Sequence, residues 1–244
     1  MFKIATWNVN SLKVRLPHVL QWLETETPDV LALQETKSTD DNFPLDAIQD
    51  AGYQVSFIGQ KTYNGVATIC KSSIDTIATC LPDYDDVQRR VLAINTAGVT
   101  VLNLYVPNGS EVDSEKYKYK LEWFSKLHPF VEHLKNNNDK LIILGDFNIA
   151  PEDQDVHDPE EWQDGILVSK PERAEFKKLI ASGFSDCFRL FDQAEKSFSW
   201  WDYRAAAFRR NRGLRIDHIL ATDCLRKVCH DCYIDKAPRK LERP

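Results

Sequence analysis

No apolar run in this chain approaches the about 20 residues that cross a bilayer, so a membrane-bound role is not expected. No basic and apolar leader precedes Phe2-Lys3-Ile4-Ala5, and the six cysteines (Cys70, Cys80, Cys187, Cys224, Cys229, Cys232) show no disulfide framework. Both absences point to a reducing cytoplasm. A zinc site is not expected either, because Cys229-His230-Asp231-Cys232, with Cys224 nearby, lacks a second ligand pair at matching spacing. There is no basic surplus: 31 basic against 37 acidic side chains give a net charge of −6, which by itself argues mildly against a polyanionic partner. Nor does any linker, low-complexity tract or break in composition divide the 244 residues, so one domain over 1–244 is expected.

What is present is ordinary globular composition, 43% hydrophobic and 28% charged, at a length that allows a large core. The charge is unevenly placed. Acid concentrates at 83–86 and 152–164, whereas Arg204, Arg209, Arg210, Arg212 and Arg215 lie close together, so one face of an acidic protein could be basic. Short apolar runs ending in polar residues recur at 4–8, 29–35, 99–105, 141–148 and 214–220, and their length and β-branched content suit buried strands. Helical spacing appears between them. Leu16, Val19, Leu20 and Leu23 follow this period until Thr27-Pro28 stops it; Leu121, Phe124, Leu127, Phe130, Val131 and Leu134 form a stripe within 114–136, with Pro129 as a potential interruption; and 171–180 closes at Gly183. Between 54 and 94 the pattern is that of hairpins, with Asn64-Gly65 marking a turn between strands 53–58 and 63–69. Strands joined by hairpins in one part and by helices elsewhere imply an α/β protein of two packed mixed sheets flanked by helices.

The strand ends carry the chemistry. In Leu141-Ile142-Ile143-Leu144-Gly145-Asp146-Phe147-Asn148, an acid and an amide two positions apart would face the same side of a strand. Asp can move a proton or hold a metal, and Asn can bond a developing anion; the Gly-Asp and Asn pattern taken alone suits a tight turn equally well. The other ends favour a site: Asn8 with Asn10, Glu35, Tyr105 with Asn108, and Asp217. One hard carboxylate, Glu35, among neutral amides and water is a donor set that magnesium accepts.

Trp7-Asn8-Val9-Asn10, Leu33-Gln34-Glu35-Thr36-Lys37, Tyr105-Val106-Pro107-Asn108-Gly109, Gly145-Asp146-Phe147-Asn148-Ile149-Ala150 and Arg215-Ile216-Asp217-His218-Ile219-Leu220 resemble, in order and spacing, the successive motifs of the exonuclease III family of abasic-site endonucleases. That family lies within the endonuclease/exonuclease/phosphatase superfamily. Glu115-Lys116-Tyr117 and the stretch from Phe198 to Gly213 look like its bacterial exonuclease III branch. The resemblance implies a four-layer, DNase-I-like α/β sandwich and a Mg²⁺ (or Mn²⁺) dependent nuclease of DNA repair, cutting 5′ to abasic sites in double-stranded DNA and acting on 3′ ends. It further implies a monomer in the cytoplasm, associated with the nucleoid during repair. Asn8, Glu35, Asp146 and Asn148 would hold the metal. Tyr105, Asp146, Asn148 and Asp217 would be catalytic, with Asp146 either activating the attacking water or protonating the leaving group. Asn10, Asn108, Trp200, Arg209, Arg210, Arg212 and Leu214 would contact substrate, with Ile216 adding apolar wall to a pocket for a baseless sugar.

The family's last strand begins with Ser-Asp-His soon after an Arg-Pro, and its histidine pairs with the carboxylate that Asp217 resembles. The chain is therefore expected to lack that strand and histidine, since it stops at Arg243-Pro244. His218 is not expected to substitute, because neighbouring strand residues face opposite sides. Two rivals remain: a phosphatase or phosphodiesterase of the same fold acting on lipid or nucleotide headgroups, and a non-catalytic binder of abasic DNA.

Overall fold

The structure, a computed structural model, describes residues 1–242, and contacts divide the chain into two units built from separated segments. Met1–Tyr105, Lys140–Asp146 and the described residues from Asp235 to Glu242 form the first; Val106–Asp139 and Phe147–Ile234 form the second.

The first unit carries β1 (Ile4–Asn8), α1 (Leu12–Glu26), β2 (Val30–Gln34), α2 (Leu45–Asp50), β3 (Gln54–Ile58), β4 (Val66–Cys70), β5 (Asp75–Ala78), β6 (Val91–Thr96), β7 (Val99–Tyr105) and β8 (Leu141–Asp146). One sheet has the order β1-β2-β4-β3, parallel only between β1 and β2, a pairing that requires the α1 crossover. In the other, β5, β6 and β7 are antiparallel neighbours and β7 pairs with β8 in parallel. The two mixed sheets face each other, β1 and β2 against β8 and β4 against β6 and β7. β2 is buried on both faces, which is why its sequence is apolar from Val30 to Leu33. Leu31 and Leu33 pack with Leu12, Val19 and Leu23 of α1 and Ile48 of α2, each contributing about 1.5–3 kcal/mol by leaving water. Between the sheets, Gln34 Nε2 donates to Asn103 Oδ1 at 2.8 Å, and Asn103 Nδ2 donates to Ala67 O at 3.0 Å and Leu33 O at 3.2 Å. This satisfied polar pin fixes the end of β2, one residue before Glu35.

Two expected boundaries move. β3 and β4 do pair antiparallel, but Ile58 lies opposite Val66, so Asn64-Gly65 belongs to a longer connection instead of closing a tight hairpin. Both residues have positive φ, 54° and 87°, yet their carbonyls accept Lys37 N at 2.9 Å and Thr36 N at 3.1 Å, bracing the chain after β2. β8 ends at Asp146 rather than 148. Gly145 stays in the ladder opposite Leu104, where an added Cβ would lie 1.9 Å from Leu104 O, and Asn148 leaves the extended region at φ 49°. Strand alternation therefore does not carry from Asp146 to Asn148.

The second unit carries α3 (Glu115–Asn137), α4 (Pro159–Trp162), α5 (Lys170–Ala181), β9 (Phe184–Asp186), β10 (Trp200–Trp201), β11 (Gly213–Leu214), β12 (Asp217–Thr222) and α6 (Asp223–Arg226). Ser114 caps α3, accepting from Tyr117 N at 3.2 Å, and Pro129 sits within the helix without ending it. Of the expected stripe, Leu121 is only half-buried, and Tyr117, Lys120 and Trp123 are buried as well. α5 packs on α3 and starts from a reciprocal capping box of Ser169 and Glu172. The expected strand 214–220 is split: β11 ends at Leu214 and β12, antiparallel to β9, begins at Asp217. At the break Ser199 Oγ accepts from both Ile216 N and Asp217 N at 3.1 Å, and Arg215 turns into the core.

Candidate active site

In the first unit the ends of β1, β2, β7 and β8 bring Asn8, Asn10, Glu35, Tyr105 and Asp146 into one hydrogen-bonded group. Asn8 Nδ2 donates to Glu35 Oε1 and to Asp146 Oδ2, both at 2.8 Å, while Asn8 Oδ1 accepts from Asn10 N at 3.0 Å. Lys37 Nζ lies 2.8 Å from Glu35 Oε2 and 2.5 Å from Asn10 Oδ1. The backbone is held in unusual conformations to achieve this. Asn10, Glu35 and Lys37 have φ of 44°, 52° and 51°, at a cost of about 1–2 kcal/mol for the longer side chains. Val9 N to Gln34 O at 3.0 Å, Ser11 N to Glu35 O at 2.7 Å and Leu12 N to Thr36 O at 3.0 Å staple the two strand ends together, so the strain is over-determined.

Burial pushes the Glu35 carboxyl up, but hydrogen bonds from Lys37 and Asn8, the Lys37 charge and a hydrogen bond from Tyr105 outweigh it, holding the acid below its ordinary range. Burial, then the nearby Glu35 and Asp146 carboxylates, push the Tyr105 phenol far up, against the Arg90 charge. Arg90 lies over the Tyr105 ring at 4.5 Å and donates to Tyr105 O at 3.1 Å. Glu35 is thus an anion and Tyr105 a neutral donor, the forms suited to a cation and to a phosphoryl oxygen respectively.

The donor chemistry fits a hard divalent cation. Carboxylate oxygens of Glu35 and Asp146 stand with amide oxygens of Asn8 and Asn10, and the Lys37 ammonium shows that Glu35 and Asn10 already converge on positive charge. Among the described residues no three His, Cys, Asp or Glu side chains could hold a metal by themselves. One or two carboxylates with neutral oxygens and water is what Mg²⁺ takes, in contrast to a closed zinc cage.

In the second unit, Asn108 Nδ2 donates to Asn148 Oδ1 at 3.0 Å and Asn148 Nδ2 donates to Val106 O at 3.0 Å. Trp200 pairs with Leu214 across β10 and β11 and packs on the cluster of Leu214, Ile216, Val156, Leu167 and Ala150. Asp217 opens β12, half-buried. The arginines are not all at the surface. Arg209 and Arg210 are exposed, Arg204 pairs with Asp202 at 2.8 Å, and Arg212 pairs with Glu161. Arg215, expected on the basic surface, is 1% exposed and bonds Asp155 at 2.6 Å and Asp186 at 2.7 Å.

His218 belongs to this buried network. Its Nε2 donates to Ile149 O at 2.9 Å, so Nδ1 is the acceptor for Arg215 Nη1 at 3.0 Å. Burial and then the Arg215 charge push its pKa down to about 3, keeping the ring neutral. The unfolded chain binds a proton there below about pH 6.5 and the folded chain does not, so stability present above that pH is lost as the pH falls toward 3. We expect His218→Gln to remove about one proton, about 1.4 kcal/mol per pH unit, from the slope of unfolding free energy between pH 6 and 4. Denaturant titrations at each pH measure this, and equal slopes for the two proteins would refute the neutral buried imidazole.

Residues 5–240 match the endonuclease/exonuclease/phosphatase family. The chain belongs to that family. Exodeoxyribonuclease III of Haemophilus influenzae is 36% identical over 99% of this chain and 96% of its own length. A 3′ phosphatase from Neisseria, solved bound to a product DNA hairpin, is 45% identical with a TM-score of 0.98, covering 100% of this chain and 95% of that one. An AP endonuclease from Archaeoglobus fulgidus is 38% identical with a TM-score of 0.95 over the same shares. These likenesses show an α/β sandwich of two mixed sheets flanked by helices and make the family member described here a DNA repair nuclease, a phosphodiesterase with the divalent-metal dependence general to its family. The related proteins act on DNA, and no helix among the described residues is long and apolar enough to cross a membrane.

The resemblance did not bring out the groups that hold the site residues. Arg90 and Lys120 were not singled out, and Lys37 was only part of a motif. Lys120 left a readable signal, a lysine three after Tyr117 and four before Phe124 on the buried stripe. Arg90 left none.

Proposed function

We propose that this chain hydrolyses, with Mg²⁺ (or Mn²⁺), the phosphodiester 5′ to an abasic site in double-stranded DNA, and that the same chemistry trims nucleotides or phosphate from 3′ ends. The observation that carries the reading is Asn8 bridging Glu35 and Asp146 at 2.8 Å each beside a neutral Tyr105. Glu35 and Asn8, with Asp146 and Asn148, would hold the cation, which when bound neutralises charge on the phosphoryl oxygens. Asp146 orients and deprotonates the attacking water or protonates the leaving oxygen. Tyr105, Asn108 and Asn148 donate to phosphate oxygens, and Asn10 contacts the substrate. Asp217 serves as an orienting carboxylate.

Trp200, half-buried and backed by the buried Leu214 and Ile216, offers an apolar surface to a sugar without its base, which has no stacking to lose when extruded. Arg209 and Arg210, exposed, and Arg212 serve the phosphates. The 3′-end activity is favoured by the 45% identity to a protein named as a 3′ phosphatase. On this reading the protein works as a monomer in the cytoplasm, on the nucleoid.

The test is cleavage of an abasic duplex, a 3′-phosphorylated duplex and small phosphate esters, with Mg²⁺ and with EDTA. Expected are Mg²⁺-dependent products from both duplexes, binding that weakens steeply with salt, and little turnover of the esters. Cleavage that survives EDTA would overturn the metal assignment. Ester turnover without DNA cleavage would favour a different substrate class, and abasic-DNA binding with no product on a denaturing gel would favour a non-catalytic binder.

A further inference from the structure

We infer that Lys120 is a positioning residue, holding Asn108 and Asn148 in the conformation that meets the phosphate. The inference rests on the roles proposed above for those two asparagines. Lys120 Nζ is fully buried, and its three N–H groups meet three acceptors: Asn148 O at 2.7 Å, Asn108 O at 3.2 Å and Glu172 Oε1 at 2.5 Å. Two carbonyls 40 residues apart in sequence are thereby tied to one ammonium. They belong to the two residues whose side chains are themselves bonded, Asn108 Nδ2 to Asn148 Oδ1 at 3.0 Å.

The charge that makes this clamp possible is itself secured. Glu172 is 0% exposed and accepts Leu167 N at 3.1 Å on Oε1, with Ser169 N at 3.2 Å and Ser169 Oγ at 2.6 Å on Oε2. Ser169 Oγ in turn bonds the Tyr117 hydroxyl at 2.7 Å, one turn before Lys120 on α3. Every acceptor site of the carboxylate is filled, which is what a buried ion pair requires. A Cβ at Gly109 would lie 2.8 Å from Ile166 Cδ1 and 3.3 Å from Lys120 Cδ, and its φ of +93° lets the chain turn after Asn108. Asn148, at φ 49°, needs an external restraint, and the ammonium on its carbonyl supplies one. A merely structural ion pair has no need to end on the carbonyls of both asparagines.

Lys120→Met with Glu172→Met removes both charges and keeps the volume but leaves Leu167 N and Ser169 N without their acceptor, so the protein is expected to fold with a lowered thermal midpoint. On an abasic or 3′-phosphorylated duplex its kcat is expected to fall by about 10²-fold, the cost of a misplacement near 1 Å, with KM within about twofold because Lys120 meets no substrate. Glu172→Gln, a smaller change that cannot accept all four hydrogen bonds, is expected to lose about tenfold in kcat by loosening the same clamp. Asn148→Ala is the control. If it keeps wild-type kcat, the proposed role of Asn148 fails and takes this inference with it. If it is inactive while a folded Lys120/Glu172 double variant, or Glu172→Gln where the double variant does not fold, keeps kcat within twofold of wild type, the positioning role alone is overturned. A change confined to KM would overturn it equally.

Discussion

Asp146→Asn is expected to lower kcat on duplex DNA by roughly 10²–10⁴, the usual worth of a positioned acid or base, at every Mg²⁺ concentration, with substrate affinity near wild type. Glu35→Gln is expected to behave differently. Its carboxylate receives Asn8, Lys37 and Tyr105, a set that keeps it ionised without giving it a proton to move. Its loss should raise the Mg²⁺ needed for half-maximal rate, and most of kcat should return at high Mg²⁺. Asn8 donates to both acids from one nitrogen, so the two sites share a partner and their effects should not add. The double variant should be much less impaired than the product of the single effects. Steady-state rates across a Mg²⁺ titration for the four proteins of the cycle measure all of this. Wild-type kcat in Asp146→Asn would remove the proton role. Recovery of that variant at high Mg²⁺ would reassign Asp146 to holding the cation alone.

The strand ends were legible because burial on both faces forces an unbroken apolar run, and a polar residue closing such a run has few reasons to be there. β2 shows this: Val30 to Gln34 is wholly buried, and Glu35 follows at once. Alternation failed where the backbone leaves the extended region, as at Asn148, because φ is not written in hydrophobic period. Gly145 looked like a turn residue, and its actual reason, the close approach of Leu104 O, comes from another strand, β7. Asn64-Gly65 has the positive φ that its composition suggests, yet spends it on bracing Thr36 and Lys37. Arg215 misled most, since clustered charge reads as surface. Arg215 is buried because Asp155 and Asp186 meet it, and partners that far off in sequence leave no local pattern.

That network gives the largest expected loss of stability. Asp155, 0% exposed, accepts from Arg215 Nε at 2.6 Å and Nη2 at 3.3 Å, from Arg189 and from Glu152 N at 3.1 Å. Asp155→Ala leaves Arg215 with Asp186 and His218 but with Nε orphaned, and leaves Arg189 without its acid. Removing one partner from a buried ion network costs about 3–5 kcal/mol, because the remaining charge cannot return to water. For a chain of this size that corresponds to a fall of about 6–20 °C in thermal midpoint. Asp155→Asn keeps the shape and the acceptor oxygen and should lose less, whereas Asp155→Leu with Arg215→Met removes that ion pair whole, leaves Asp186 without its guanidinium, and should recover only part of the deficit. Arg215 lies between Leu214 and Ile216, so the double variant can regain stability and still cut abasic DNA more slowly than wild type through a displaced apolar wall. Differential scanning calorimetry of the four proteins, with cleavage rates on the same samples, separates the two effects. A midpoint unchanged in Asp155→Ala would show that Asp186 alone suffices to hold the buried guanidinium.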